Sequence, residues 1–203
     1  MKKNNELEIV FLLDRSGSMA GAVEDTIGGF NDYIKKQKNN KNTYVTTILF
    51  DDQYEVLHDR LSIEKVGKLT NKEYYVRGTT ALLDAIGKTI VKMDKVAKDK
   101  KCIFIITTDG LENASIEFSK KDINKLIKNH NNWEFMYIGA DIDSYAEGRS
   151  LGISDKNIAN YRKDKKGISK LYSSVGKATA MYREDTLCES WKEELDEYIK
   201  ENE

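Results

Sequence analysis

Apolar and β-branched residues gather in short runs along the chain, and each run stops at a polar turn. Two of the runs, over residues 8–13 and 101–106, are almost wholly apolar, which is typical of strands buried on both faces of a sheet. Similar runs predict further strands over residues 44–50, 133–138 and 157–161, the last of them at a sheet edge. Residues 54–58 follow the second strand after a turn so short that the two must form an antiparallel hairpin.

Between the strands, apolar residues recur at spacings of three and four, the period of a helix with one buried face. Ser119 with Asp122, and Thr186 with Glu189, resemble capping boxes and are predicted to begin helices. Strands that alternate with helices predict an α/β fold, a doubly wound and mostly parallel sheet with one antiparallel edge strand and helices on both faces. The helical stripes cover residues 21–37, 80–97, 119–127, 144–151, 168–182 and 187–198.

The length of 203 residues fits one domain with a small appendage. We predict a domain over residues 1–185 and an amphipathic acidic helix over residues 186–203. This helix is expected to pack on the domain through Leu187, Trp191, Leu195 and Tyr198. Seven acidic and two basic residues give the last segment a charge of −5, so the rest of the chain carries +4 of the net −1. So weak a positive charge does not indicate a nucleic-acid partner.

Several features of the composition favour a cytoplasmic protein without a membrane partner. No run of 18 apolar residues predicts a membrane-spanning helix, and the first ten residues show no secretory signal. Cys102 and Cys188 form no CxxC pair, and Cys102 is expected to be a buried small hydrophobic residue. His58 and His130 lie outside the motifs described below and are expected at the surface. The lysine-rich stretches are interpreted as solvated faces; they cover residues 35–41 and 163–166.

Polar loops follow the two most apolar strands, and a third polar loop precedes the helix over residues 80–97. Asp14, Ser16 and Ser18 end the first strand, and Asp109 follows the strand over residues 101–106. Open α/β sheets place their ligands at the carboxyl ends of central strands. The side chains offer oxygen and nothing softer, which suits a hard cation such as Mg²⁺, Mn²⁺ or Ca²⁺.

In this order the three loops resemble the motifs of the von Willebrand factor type A (VWA) domain, a family with a metal-ion-dependent adhesion site (MIDAS). The first motif, D-x-S-x-S, matches Asp14, Ser16 and Ser18. The second, a threonine before a helix, matches Thr80 within residues 78–86, and the third, T-D-G, matches Asp109. The resemblance covers roughly residues 5–183. More loosely, the chain is similar to intracellular bacterial and phage members of the family.

The resemblance implies that these five residues hold a divalent cation, with an open position for a Glu or Asp of a protein partner. Thr79 is an alternative ligand, although the spacing to Ala85 favours Thr80. In related intracellular members the domain often serves with an ATPase or a multiprotein complex. Arg15, Thr79 and Asp141 are the expected partner-binding rim, and Arg15 is expected to project to solvent.

The leading hypothesis is therefore a non-enzymatic, metal-dependent protein-binding module. The alternative is a metal-dependent phosphoester hydrolase with Asp14 as nucleophile. Against it, aspartyl-phosphate enzymes need a second acid two residues further on, where Ser16 stands. Two-metal phosphoryl transfer needs more carboxylates, and the chain has neither a Ser/His/Asp arrangement nor a phosphate-binding GxxxxGK[ST] loop.

Overall fold

The computed structural model describes residues 6–202, so the first five residues of the predicted 1–185 domain, and Glu203, lie outside it. The strands are β1 (Leu7–Asp14), β2 (Thr43–Phe50), β3 (Tyr54–Ser62), β4 (Lys101–Thr108), β5 (Trp133–Gly139) and β6 (Ile158–Asn160). The helices are α1 (Val23–Gln37), α2 (Leu82–Ala97), α3 (Lys120–Lys128), α4 (Ser144–Ser150), α5 (Lys165–Arg183) and α6 (Glu193–Lys200).

The six strands form one sheet in the order β3-β2-β1-β4-β5-β6. The edge strand β3 is antiparallel to β2, and all other neighbouring strands are parallel. The predicted doubly wound α/β fold with one antiparallel edge strand is confirmed. β1 lies between β2 and β4, so the chain passes from one half of the sheet to the other at the border between β1 and β4.

Side chains of β1 alternate between two hydrophobic cores, one on each face of the sheet. Phe11 and its neighbours on that face pack with residues of α1 and α5, whereas Val10 and Leu12 pack with residues of α2 and α3. Every residue of β1 is buried, as the continuous apolar run predicted. Burial of side chains of this size typically stabilises a fold by about 1.5–3 kcal/mol each, so β1 contributes strongly to the stability of the sheet.

Helices α1 and α5 approach each other closely on the first face. A side-chain carbon at Gly29 of α1 would lie 2.1 Å from the ring of Tyr172 of α5, so only glycine allows this contact. Tyr33 of α1 adds a hydrogen bond of 2.9 Å to the hydroxyl of Thr179 of α5. The two helices therefore form a tightly fitted pair over one face of the sheet.

The C-terminal segment packs beside β6 and α5. A 3₁₀ turn (Glu189–Lys192) leads into α6, and Trp191 in this turn is fully buried. Its Nε1–H donates to the carbonyl of Lys156 at 2.8 Å. The predicted cap at Thr186 is wrong, because its hydroxyl and its N–H both donate to the carbonyl of Met181 at the end of α5. The division into residues 1–185 and 186–203 stays a prediction.

Two smaller expectations change and one is confirmed. The helix predicted over residues 21–37 begins later, at Val23, because a 3₁₀ turn of mostly small residues (Gly17–Ala22) precedes α1. His130 is buried, not exposed, because its ring stacks on Trp133 at 4.1 Å and its two nitrogens are hydrogen-bonded to the carbonyl of Leu126 and to Asp94. Cys102 is buried, as predicted. Over residues 6–202, no helix has both the length and the apolar character needed to cross a membrane.

Candidate metal centre

The carboxyl ends of β1 and β4 lie side by side at the centre of the sheet, because these strands pair through residues such as Leu13 and Thr107. The strand order reverses between them, and open α/β sheets form binding crevices at such a switch point. β1 ends at Asp14, and Asp109 follows β4 directly. The topology therefore brings the two acidic residues singled out in the sequence to one crevice.

Both carboxylate oxygens of Asp14 accept hydrogen bonds from the surrounding loops. Oδ1 accepts from the N–H of Ser16 at 2.7 Å, and Oδ2 accepts from the hydroxyl of Thr108 at 2.6 Å. Burial has the largest influence and raises the pKa of Asp14 to about 6, although both hydrogen bonds act in the opposite direction. A cation nearby would favour the charged carboxylate and lower that pKa again.

Three hydroxyl groups converge on Gly110. A side-chain carbon built on this glycine would lie 2.8 Å from Thr80 Oγ1, 3.6 Å from Ser18 Oγ and 3.7 Å from Ser16 Oγ. The two serine oxygens are 3.1 Å apart, and Ser18 Oγ donates to Asp109 Oδ1 at 2.5 Å. Because glycine has no side chain, it leaves a small space among these oxygens that any other residue would fill.

Thr80 is held in place by a reciprocal pair of hydrogen bonds with Asn113. The N–H of Thr80 donates to Asn113 Oδ1 at 2.9 Å, and the N–H of Asn113 donates to the carbonyl of Thr80 at 3.0 Å. Thr80 is buried, whereas Thr79 is exposed. The structure therefore places Thr80, and not Thr79, beside the two serines.

The donor set fits a hard divalent cation. Asp14, Ser16, Ser18, Thr80 and Asp109 contribute only oxygen atoms, which Mg²⁺, Mn²⁺ and Ca²⁺ prefer. Among residues 6–202, no group of three or more His, Cys, Asp or Glu side chains is arranged to hold a metal. A cation here would therefore depend on two carboxylates and the hydroxyls, with water in its remaining positions. The space over Gly110 agrees with this arrangement.

The expectation that Arg15 projects to solvent is wrong. Its side chain is fully buried, with Nε 3.0 Å from Asp51 Oδ2 and Nη1 2.8 Å from Glu55 Oε2. Arg77 Nε lies 2.6 Å from the same Asp51 oxygen. Asp51 attracts Arg15 inward, since a fully buried carboxylate requires an opposite charge. Arg15 thus ties the end of β1 to the hairpin between β2 and β3 and is not available as a rim residue.

Asp141 and Thr79, the other two expected rim residues, are exposed. Asp141 lies 3.2 Å from the ammonium of Lys163, which also donates to Asp109 Oδ2 at 2.8 Å. The expectation that the whole stretch of residues 163–166 forms a solvated face is therefore wrong for Lys163. This lysine contacts one of the two acidic residues of the candidate site.

Sequence reasoning missed three residues that shape the site: Thr108, Asn113 and Lys163. Thr108 directly precedes Asp109, so its position in the sequence was a usable signal. Asn113 lies in an irregular loop, where no periodic pattern indicates which side chain turns inward. Lys163 stands in a lysine-rich stretch whose composition resembles an ordinary charged surface. The last two could be found only from the folded chain.

Comparisons with known proteins support the fold. Proximal thread matrix protein 1 from the mussel byssus, in a structure with a zinc-occupied MIDAS motif, aligns with a TM-score of 0.59 and 18% identity over 86% of this chain and 46% of that chain. A von Willebrand factor type A structure from Catenulispora acidiphila aligns with a TM-score of 0.60 and 15% identity over 86% and 42% of the two chains. The PilB minor pilin from Streptococcus sanguinis aligns with a TM-score of 0.68 and 9% identity over 91% and 63%.

These structural neighbours define the class of fold. The chain has the Rossmann-like α/β fold of VWA domains, and it spans between 42% and 63% of the length of the structures just named. No family model matches the sequence, and no curated protein matches it. At identities this low, the likeness concerns the fold alone.

Proposed function

We propose that this chain is a non-enzymatic interaction module that binds a divalent cation, Mg²⁺ in the first place, and through it a Glu or Asp of a protein partner. The cation would be held by Asp14, Ser16, Ser18, Thr80 and Asp109. The observation that carries the proposal is the convergence of three hydroxyls and a carboxylate around Gly110 at the switch point of the sheet. The zinc-occupied MIDAS of the mussel protein supports it, since that protein shares the fold.

The charges of the site explain why an anion would be attracted. Asp14 is buried and already accepts two hydrogen bonds, and Asp109 is shared with Ser18 and Lys163. The hydrogen bonds leave the charge of Asp14 in place, but the ammonium of Lys163 offsets part of the charge of Asp109, so a bound divalent cation would keep residual positive charge. A bound cation would supply an open coordination position for a carboxylate, and neutral hydroxyls would keep it electrophilic.

The surroundings of Asp14 do not favour the phosphoester hydrolase. Aspartyl-phosphate enzymes need a second acid two residues further on, and that position is held by Ser16, whose N–H donates to Asp14 Oδ1. We therefore propose that the protein acts without catalysis. Turnover of generic phosphoesters in the presence of Mg²⁺, lost in Asp14→Asn, would contradict this proposal.

The first test is calorimetric titration with Mn²⁺ of the wild type, Thr80→Ala and Thr79→Ala. Thr80→Ala should weaken binding, because it removes a hydroxyl beside Gly110, whereas the exposed Thr79 serves as the matched control. Equal losses in the two variants, or the absence of Mn²⁺ binding by the wild type, would contradict the assignment of the site.

The second test concerns the partner. Proteins captured from the native host with Mg²⁺ are compared with those captured with chelator, and the affinity of a purified candidate is then measured. Asp109→Ala and chelator should each weaken its binding, and their effects should not add. Binding that persists at full strength in chelator would place the interface elsewhere.

A further inference from the structure

Lys163 lies in the loop between β6 and α5, with its ammonium against the candidate site. Nζ donates to Asp109 Oδ2 at 2.8 Å and to the carbonyl of Ser18 at 3.3 Å, and it lies 3.2 Å from Asp141 Oδ2. The other oxygen of Asp109 accepts the hydroxyl of Ser18. The fully buried carboxylate of Asp109 therefore contacts the hydroxyl of Ser18 through one oxygen and Lys163, whose side chain is 25% exposed, through the other.

We infer that Lys163 sets the cation affinity of this site, because its ammonium competes with the divalent cation for Asp109. The inference rests on the proposed function. Two positive charges that share one carboxylate repel each other, and partial burial strengthens this repulsion relative to water. A divalent cation stabilises the Asp109 carboxylate less when the ammonium of Lys163 already offsets the charge of that carboxylate.

The loop around Lys163 is firmly anchored, so the long side chain is its adaptable part. Asp164 accepts the N–H of Gly167 at 2.8 Å and the hydroxyl of Tyr198 at 3.2 Å. Arg162 Nη1 donates to the carbonyl of Asn202 at 2.8 Å. These contacts tie the backbone on both sides of Lys163 to α5 and to the C-terminal segment.

A groove of about 290 Å³ beside the ammonium gives it space to move. Its lining is formed by Asp141, Tyr161, Arg162, Lys163 and Asp164. An ammonium displaced from Asp109 can turn into this groove and keep its contact with Asp141, which is exposed at the groove. A divalent cation can therefore enter without unfolding the loop, but it must displace Lys163 from Asp109 or bind against its charge.

The experiment is calorimetric titration of the full chain with Mn²⁺ at low ionic strength. It compares the wild type with Lys163→Met, Lys163→Arg and Lys165→Met. Lys163→Met should bind Mn²⁺ about tenfold more tightly, because the competing charge is gone. Lys163→Arg keeps the charge and should remain close to the wild type. Lys165→Met is the matched control, since it removes the same charge from an exposed position two residues away.

Each outcome decides the inference. Tighter binding in Lys163→Met alone supports it, whereas affinity equal to or weaker than that of the wild type overturns it. Equal tightening in Lys163→Met and Lys165→Met also overturns it, because net charge alone would then explain the result. If neither the wild type nor Lys163→Met binds Mn²⁺, the proposed metal site itself fails, and the inference falls with it.

Discussion

Gly110 is the residue at which one added carbon would change the candidate site most. Its missing side chain leaves the space among the hydroxyls of Thr80, Ser16 and Ser18. Nearby Gly17 differs, since a carbon added there would meet only the carbonyl of Gly78 at an ordinary contact distance of 3.6 Å. The two glycines therefore form a natural pair for testing the site.

We expect Gly110→Ala to abolish stabilisation by divalent cations and to cost about 1–3 kcal/mol in the free energy of unfolding without metal, because the added carbon crowds Thr80 Oγ1. Gly17→Ala should keep the metal response. The measurement is urea unfolding with Mg²⁺ and with chelator. An unchanged metal response in Gly110→Ala would mean that the cation does not bind among these hydroxyls.

Single residues also show how far sequence reasoning reaches. The candidate ligands were predictable because each motif is local and follows a recognisable strand or precedes a helix. Arg15 and Lys163 were misjudged because their partners, Asp51 and Asp109, are 36 and 54 residues away in the sequence. A charged side chain turns inward only where folding brings an opposite charge to it, and local composition does not record that.

The packing of the C-terminal segment on the rest of the fold can be tested through its buried residues. Trp191 is fully buried and bonded to the carbonyl of Lys156, and Leu195 is buried beside it. We expect Trp191→Ala to lower the free energy of unfolding by about 3–5 kcal/mol, as for large aromatic residues in protein cores. The partly buried Leu187 is the control, and Leu187→Ala should cost less. Urea unfolding of Trp191→Ala that matches the wild type would show that this segment contributes nothing to the fold.

His58 on strand β3 makes the stability of the fold depend on pH. Burial lowers the pKa of His58 below its ordinary value, although Glu73 acts in the opposite direction. The unfolded chain therefore takes up this proton first as the pH falls through about 6.5, and stability decreases on acidification and is fully present above that pH. In His58→Gln this component of the pH dependence should disappear. Urea midpoints between pH 5 and pH 7.5 measure it, and identical slopes in both proteins would refute it.

At the level of elements, strands and helices were predictable where the apolar period was long and clear, as in β1, β4 and α2. Boundaries were less predictable. The Thr186 pattern resembled a helix cap, but its hydroxyl instead completes the end of α5. A threonine hydroxyl can accept from an N–H of a following helix or donate to a carbonyl before it, and the sequence pattern does not distinguish these two roles.

For the whole molecule, metal binding should stabilise the fold only modestly. A site preformed by the sheet, with two carboxylates and several waters, should bind weakly, so mass action adds about 1–3 kcal/mol at millimolar Mg²⁺. For a chain of this size, that corresponds to a rise in Tm of about 2–4 °C per kcal/mol. Asp14→Ala should remove the rise and still fold, because apolar burial holds the sheet. An equal rise in Asp14→Ala, or none in the wild type, would contradict the metal site.

The contact between Gly29 and Tyr172 has a mechanical consequence for the whole domain. For α5 to slide along α1 by one helical turn, about 5.4 Å, the ring of Tyr172 would have to leave the gap at Gly29. It would then meet Asp25 or Tyr33, whose side chains occupy the adjacent turns. The ring of Tyr172, seated against Gly29, thus prevents α5 from sliding along α1. We expect a partner bound at the candidate metal site to rearrange loops, while α1 and α5 keep their positions relative to each other.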